Sequence, residues 1–418
     1  MNIFKFLAPE LRFIAYDRVF VVWLIVVLCF SSMAVWSGLS EVRYQSDTIE
    51  RLIEIDKKDR AAKYSDQGDW GSAAYYSFHF TYDPPSEFAF AAMGQRDGAT
   101  WKHRVRTLAL EGQIYEHDAG NPELALIGRF DFAFFIAFVV PLILIFLFHD
   151  SQANERVAGR FELLVATAGG DDSLWRRRAI LKSTGILIAA LLPLIIASVV
   201  SGTAFLTLLI AIGYVIAYFM FWTFVCNWFA SWKRSAPVIL SSLIGIWILL
   251  SAILPAGGRV IIDRMVSVPS GSEILMTQRE AVNDAWDLPV EETMLPFYDR
   301  YPEWKGYTKT GEGFDWGWYF AFQQVGDQET EQLSSAYYKG RLERDRFAGL
   351  LALLAPPALL ERSLQKLART DVSSSLAYET EVRHFHAELK DYYYPRLFRD
   401  EPFDSKTLAE LPQFMPAG

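Results

Sequence analysis

GRFDFAFFIAFVVPLILIFLFHDSQANERVAGRFELL, residues Gly128–Leu164, is the stretch on which the fold turns. From Phe132 to Phe148 it carries no charge. With its flanks it approaches the roughly 20 mostly apolar residues that a helix needs to cross a bilayer. Pro141, near the middle, predicts a kink, because proline offers no amide to the carbonyl four residues back. Beyond the run, Val157, Phe161 and Leu164 share one stripe of a short helix, with Glu155, Arg156, Arg160 and Glu162 around it. A helix of this kind suits a groove on a partner and equally suits the lipid interface.

Working outward, four more runs read as spans. With the quoted one at 130–149, they are 19–37, 180–200, 203–230 and 236–254. Pro193 predicts a second kink, in the run at 180–200. Trp36, Trp228 and Trp232 lie near span ends, where interfacial tryptophans gather. Lys5, Arg12 and Arg18 precede the first span. Arg156, Arg160, Arg176, Arg177, Arg178 and Lys182 separate the second from the third, and Lys233 and Arg234 separate the fourth from the fifth. The bias of Lys and Arg toward the cytoplasm places residues 1–18, as an amphipathic interfacial helix, and the loop 150–179 on that side. Segments 38–129 and 255–418 then fall outside. Ala348–Leu360 is apolar, but it is short and holds Pro356-Pro357, so it reads as buried core rather than as a sixth span.

Composition agrees with this division. Of 418 residues, 52% are hydrophobic and 21% charged, too apolar for a soluble chain and too charged for one wholly in lipid. Aromatic residues at 15% exclude a disordered chain. A net charge of −9 argues against nucleic acid as a partner. Two cysteines, Cys29 and Cys226, both inside spans, exclude a disulfide scaffold and a Cys-rich zinc module.

In the first outside segment, Glu41–Lys63 continues the first span as a charged helix. Trp70–Tyr82 and Thr107–Tyr115 read as strand or irregular structure, and Asn121-Pro122 marks a turn. The second reads as helices at Glu273–Leu288, Gln332–Ala348, Leu359–Leu367 and Tyr378–Tyr394. The expected fold is an α-helical polytopic membrane protein with a mixed, mainly helical α+β extracytoplasmic domain, the two outside segments packing together.

Chemistry is absent where an enzyme would show it. There is no Walker A loop, GxSxG, HExxH or zinc-type cysteine pair, so no catalytic, cofactor-binding or metal residue is assigned. The spans hold almost no ionisable residue, which counts against ion-coupled transport. His384 and His386, beside Glu381, diverge if their segment is helical and are read as structural. His149 and Asp150 are read as interfacial. Asn227, Ser241, Ser242 and Ser251 are read as interhelical hydrogen-bonding groups, with a polar path as the alternative.

The quoted stretch resembles permease subunits of ABC-2-type transporters. The resemblance is to the bacterial subset with large extracytoplasmic insertions after the first and fifth transmembrane helices. The resemblance rests on Gly128, Phe130 and Asp131 at the start of the span, Pro141 at its kink, and Glu155, Arg156 and Gly159 at its exit. MGQRD (Met93–Asp97), NPELALIGRFD (Asn121–Asp131), LARTD (Leu367–Asp371), EVRHFH (Glu381–His386) and LPQF (Leu411–Phe414) extend it over nearly the whole chain. Where the family carries Gly-Thr in the exit helix, this chain has Gly159-Arg160. Ala166-Thr167-Ala168 replaces a Ser-Gln-Pro-like turn, and the family's sixth span would follow Gly418.

The resemblance implies a permease, homodimeric or heterodimeric, in the bacterial cytoplasmic membrane. A separate cytoplasmic ATPase dimer would bind ATP and Mg, and the permease itself would do no chemistry. Glu155, Arg156, Gly159, Phe161 and Glu162 would form the coupling element, and the N-terminal helix would also contact the ATPase. Export is the expected activity, with a periplasmic partner possible. Two alternatives stand beside it: a mechanotransmitter acting on envelope proteins through its outside domain, and a membrane-anchored scaffold unrelated to ATP. An uncharged bundle suits a lipid, a peptide or a hydrophobic small molecule, and equally suits motion without cargo.

Overall fold

The computed structural model describes residues 16–116, 129–167, 173–307 and 313–417. The expected interfacial helix over residues 1–18, the Asn121-Pro122 turn and Gly128 fall wholly or mostly outside these.

Among the described residues, five helices are long and apolar enough to cross a membrane. The first, α1 (Arg18–Ser65), runs 48 residues without a break, roughly 70 Å at 1.5 Å per residue. It is apolar at its start and charged from Glu41 onward, so one rod serves as span and as domain element. At Gly38 a Cβ would lie 1.9 Å from the Phe90 carbonyl oxygen, so only glycine lets the domain rest on the rod there. After α2 (Trp70–Tyr76), strands β1 (His79–Tyr82) and β2 (Lys102–Val105) pair antiparallel with His79 opposite Val105. The short helix α3 (Leu110–Tyr115) follows.

The second span, α4, covers 132–148 and contains a π turn at Phe135–Val139. Two short helices, α5 (Ala153–Val157) and α6 (Phe161–Thr167), lead to the third span, α7 (Ser173–Val200), which runs unbroken through Pro193. The fourth is α8 (Phe205–Ala230) and the fifth α9 (Ala236–Met265). The apolar residues of α4, α7 and α8 interlock in one core that includes Phe135, Leu144, Ile186, Leu194, Val215 and Trp222.

Helices α10 (Gly271–Asp287), α11 (Val290–Arg300), α12 (Trp316–Ala352), α13 (Pro356–Leu367) and α14 (Val372–Phe398) complete the chain's helical domain. Its core is aromatic: Trp70, Phe297, Trp318, Phe322, Tyr393 and Phe398 are buried together with their neighbours. Each such side chain contributes about 1.5–3 kcal/mol on burial.

Two expectations change. Trp70–Tyr82 is a helix and then a strand, because Asp69 caps the helix by accepting from the Ser72 amide at 2.7 Å. Thr107–Tyr115 is largely helix rather than strand. Its first-turn amides find acceptors far along the chain: Leu110 N donates to Asp327 Oδ1 (2.6 Å), Gly112 N to Gln278 Oε1 (2.6 Å) and Ala109 N to Gln323 Oε1 (3.1 Å). Arg383 then clamps Glu111 through two bonds of 2.7 and 2.9 Å. These contacts join the segment between the first and second of the five apolar helices to α10, α12 and α14.

Ala348–Leu360 is not among the five apolar helices, and the expected buried core is only partly met, since Leu350, Leu353 and Leu354 are exposed while Ala352, Ala355 and Leu360 are buried. α12 ends at Ala352 and α13 starts at Pro356, so the segment is a helical elbow, and Leu360 and Leu364 pack on the end of the span bundle.

Candidate functional site

α4 carries three features along its length. At the domain end, Asp131 caps it: one carboxylate oxygen accepts from Phe134 N and the other from Met93 N, both at 2.8 Å. Phe130 packs edge-on against Phe30, Phe134 and Phe135. The two short motifs Met93–Asp97 and Leu367–Asp371, far apart in sequence, meet here. Gln95 N donates to Thr370 O (2.8 Å), and Thr370 Oγ1 donates to Ala92 O (2.6 Å). Arg129 bridges Asp97 (3.1 Å) and Glu41 (2.9 Å), and Arg96 pairs with Asp83 and donates to Gln45. So α1, α4, α13 and the two segments that follow the first and fifth of the five apolar helices lock at one junction.

Glu361 of α13 faces this junction. Burial, reinforced by the Asp131 carboxylate and opposed by Arg362, pushes its carboxyl up to about 7. Sequence reading missed the junction. Its signal in the sequence is the set of short charged motifs, Met93–Asp97 and Leu367–Asp371, which no local pattern pairs in space.

Mid-span, Pro141 produces a π turn. Val140 N bonds to the carbonyl of Phe135, five residues back, and proline follows. The carbonyl that residue 141 would have used belongs to Ala137, and the buried Tyr218 hydroxyl donates to it at 2.5 Å. Trp247 Nε1 donates to the next carbonyl, Phe138 O, at 3.2 Å. Span four thus takes up the carbonyl that proline frees, and span five adds a bond to the carbonyl beside it.

At the exit, the single striped helix is in fact two helices at an elbow. Gly159 has φ +70°, Arg160 N bonds to Glu155 O (3.0 Å), and Gly159 N bonds to Arg156 O (3.1 Å). This is the Schellman stop, and it ends α5. The expected stripe therefore splits: Val157 is 86% exposed, while Phe161 stacks flat on Trp175 with ring centroids 5.6 Å apart. Arg156 is the pin. It donates to Trp232 O (2.8 Å), Ser231 O (3.1 Å) and Gln152 Oε1 (2.9 Å), and its guanidinium sits 4.6 Å above Phe161. Glu155 holds Arg160 at 2.8 Å, and Glu162 and Leu163 lie exposed. The elbow at the exit of span two is thereby fastened to the loop between spans four and five, at the end where Lys182 pairs with Asp17 (2.7 Å).

The remaining candidates are local. His386 is buried against Arg106 O (3.0 Å), and burial beside Lys390 holds it well below its ordinary value, so it is neutral; exposed His384 pairs with Glu388. His149 bonds to Phe146 O, Asp150 accepts from Asn154, and Ser241 and Ser242 bond to carbonyls one turn back. Among the described residues no group of His, Cys, Asp and Glu could hold a metal.

Residues 272–417, which take in all but the first residue of α10 and all of α11–α14, match a family model described as a domain of unknown function (DUF3526). No curated protein and no solved structure matches the chain.

Proposed function

We propose that this chain is the membrane-spanning subunit of an ATP-driven transporter of the ABC-2 type, an exporter. A separate cytoplasmic ATPase would supply ATP and Mg binding. The observation that carries the reading is the elbow 153–167: exposed at the basic end of the bundle, stopped by Gly159, and pinned through Arg156 to a second inter-span loop. A push on exposed Val157, Glu162 or Leu163 reaches spans two, four and five together. Room for a second permease subunit is left at α9, where 11% of the most apolar stretch is buried within the chain, against 67% for α4. Ile253 and Val260 would face that subunit, since both are more than half exposed.

The test is co-purification. The chain is expected to bring down a vanadate-sensitive ATPase activity, and Val157→Asp with Leu163→Asp is expected to release it while the protein stays folded. An ATPase-free preparation from the native host, or full retention by the double variant, overturns the proposal. The mechanotransmitter reading draws on α1, whose unbroken 48 residues give a rod from span to hairpin. A two-glycine insertion after Glu41 separates the two: it abolishes function if motion travels along the rod and spares it if substrate passes through the bundle.

A further inference from the structure

A cavity of about 590 Å³ lies between α9, the α12–α13 elbow and the start of α14, on the domain side of the bundle. Its polarity is graded. The gradient follows from the antiparallel register of α9 and α12, in which Gly258 lies against Leu351 and Arg344 reaches Val266 O (2.9 Å) and Asp263 (3.1 Å). Leu254, Leu351 and Ala355 therefore line the end nearer the spans. Arg259, Arg341, Arg344 and Arg362 line the remainder, with Asp263 and Asp345.

Positive charge is in excess. Arg362 is held by Asp345 at 2.9 Å, Arg341 by Glu379 at 3.3 Å, and Arg344 and Arg259 share Asp263. Four guanidinium groups thus face three carboxylates, one of which, Glu379, also serves Arg383. The Arg259 side chain is 85% exposed and only 3.8 Å from Asp263, so it is the cation with most reach.

The level of the cavity identifies its occupant. α9 is apolar from Ala236 to Leu254, roughly 27 Å of helix, close to the ~30 Å hydrocarbon thickness. Its first charge, Arg259, comes one turn later. Beside the mouth, Leu350, Leu353 and Leu354 on the elbow are 56%, 64% and 65% exposed, a cluster that water would not favour. The cavity's apolar end therefore opens at the edge of the lipid core, and its arginines sit at headgroup height.

We infer that this cavity binds an anionic lipid from the leaflet on the domain side, acyl chains at Leu254 and Leu351 and phosphate at the arginine cluster. The inference does not rest on the transport reading.

Native mass spectrometry of the full chain in detergent tests it, with phosphatidylglycerol and phosphatidylcholine of matched chains as probes and glycerol 3-phosphate as the soluble headgroup. Phosphatidylglycerol is expected to be retained about tenfold over phosphatidylcholine, the worth of one charge-assisted bond. Arg259→Gln, at an exposed side chain, should bring the two close to parity. Ala358→Phe, which places a ring in the cavity from the elbow side, should weaken lipid retention at an unchanged melting temperature. Equal retention of both lipids by the wild type overturns the inference, as does full retention by Arg259→Gln. Displacement by equimolar glycerol 3-phosphate would assign the site to a small anion and overturn the lipid.

Discussion

In α4 a proline at 141 follows the π turn Phe135–Val139, and in α9 a proline at 255 follows the π turn Leu249–Ile253. The local chemistry is the same. The residue before each proline bonds five positions back, Val140 to Phe135 and Leu254 to Leu249, because the next residue has no amide to give. The surroundings differ. In α4 the carbonyl four before the proline is taken by Tyr218, the helix is capped by Asp131, and most of its apolar stretch is buried. In α9 the residue four before the proline is Ser251, whose hydroxyl has no partner, the capping position Ser235 makes no side-chain bond, and the helix lies mostly bare. One device thus sits in a buried helix braced by Tyr218 in α4 and in a largely bare helix in α9, and the difference lies in neighbours.

The comparison can be broken most severely at the caps. Asp131→Ala removes two amide bonds to carboxylate oxygens, one buried and one part-buried, and should cost about 2–3 kcal/mol in thermal or denaturant unfolding. Ser235→Ala in α9 should cost almost nothing in the same assay. Next comes the elbow: Gly159→Val forces a β-branched residue to positive φ, and about 1–2 kcal/mol should be lost. The loss should appear as faster proteolysis at residues 157–163 rather than as global unfolding.

At the joints themselves, Tyr218→Phe should cost about 1 kcal/mol by baring the Ala137 carbonyl, and Ser251→Ala should be neutral or slightly stabilising. Equal effects at the two positions would erase the distinction between a braced turn and one in a bare helix.

The smallest effect concerns pH. Glu361 keeps its proton to about 7 when folded, above the ordinary 4.5 of an unfolded glutamate. The folded state therefore binds more protons between these values, and stability should fall as pH rises through that window. Glu361→Gln should flatten the slope there; a slope unchanged in the variant would remove the residue from the junction's electrostatics.

The spans were legible because twenty apolar residues in a row admit few other structures, and Pro141 because a missing amide acts on its own helix; Pro193, also expected to kink its span, leaves α7 unbroken, and Pro255 was not read. The continuation of α1 past the membrane was legible in the same way, from helical spacing among Ile49, Leu52 and Ile53. The elbow was only half legible. Gly159 lay in plain view within ERVAGRFELL, but periodicity extends a stripe across a glycine as readily as it stops there. The junction at Asp131 was illegible as a site, because its partners Met93, Thr370 and Glu361 come from segments that no local pattern brings together.

By itself, then, the sequence determined which helices are long and apolar enough to cross a membrane, that Pro141 disturbs one of them, and which end of the bundle is basic. These follow from hydrophobic length, proline geometry and charge, all local quantities. Only the tertiary structure decided that Leu110–Tyr115 is helix, since its amides are satisfied by Asp327 and Gln278 more than 160 positions away. It alone decided that the turn at Pro141 is buried and braced by Tyr218 while the turn at Pro255 lies in a largely bare helix, because burial and cross-helix donors are set by the neighbouring helices.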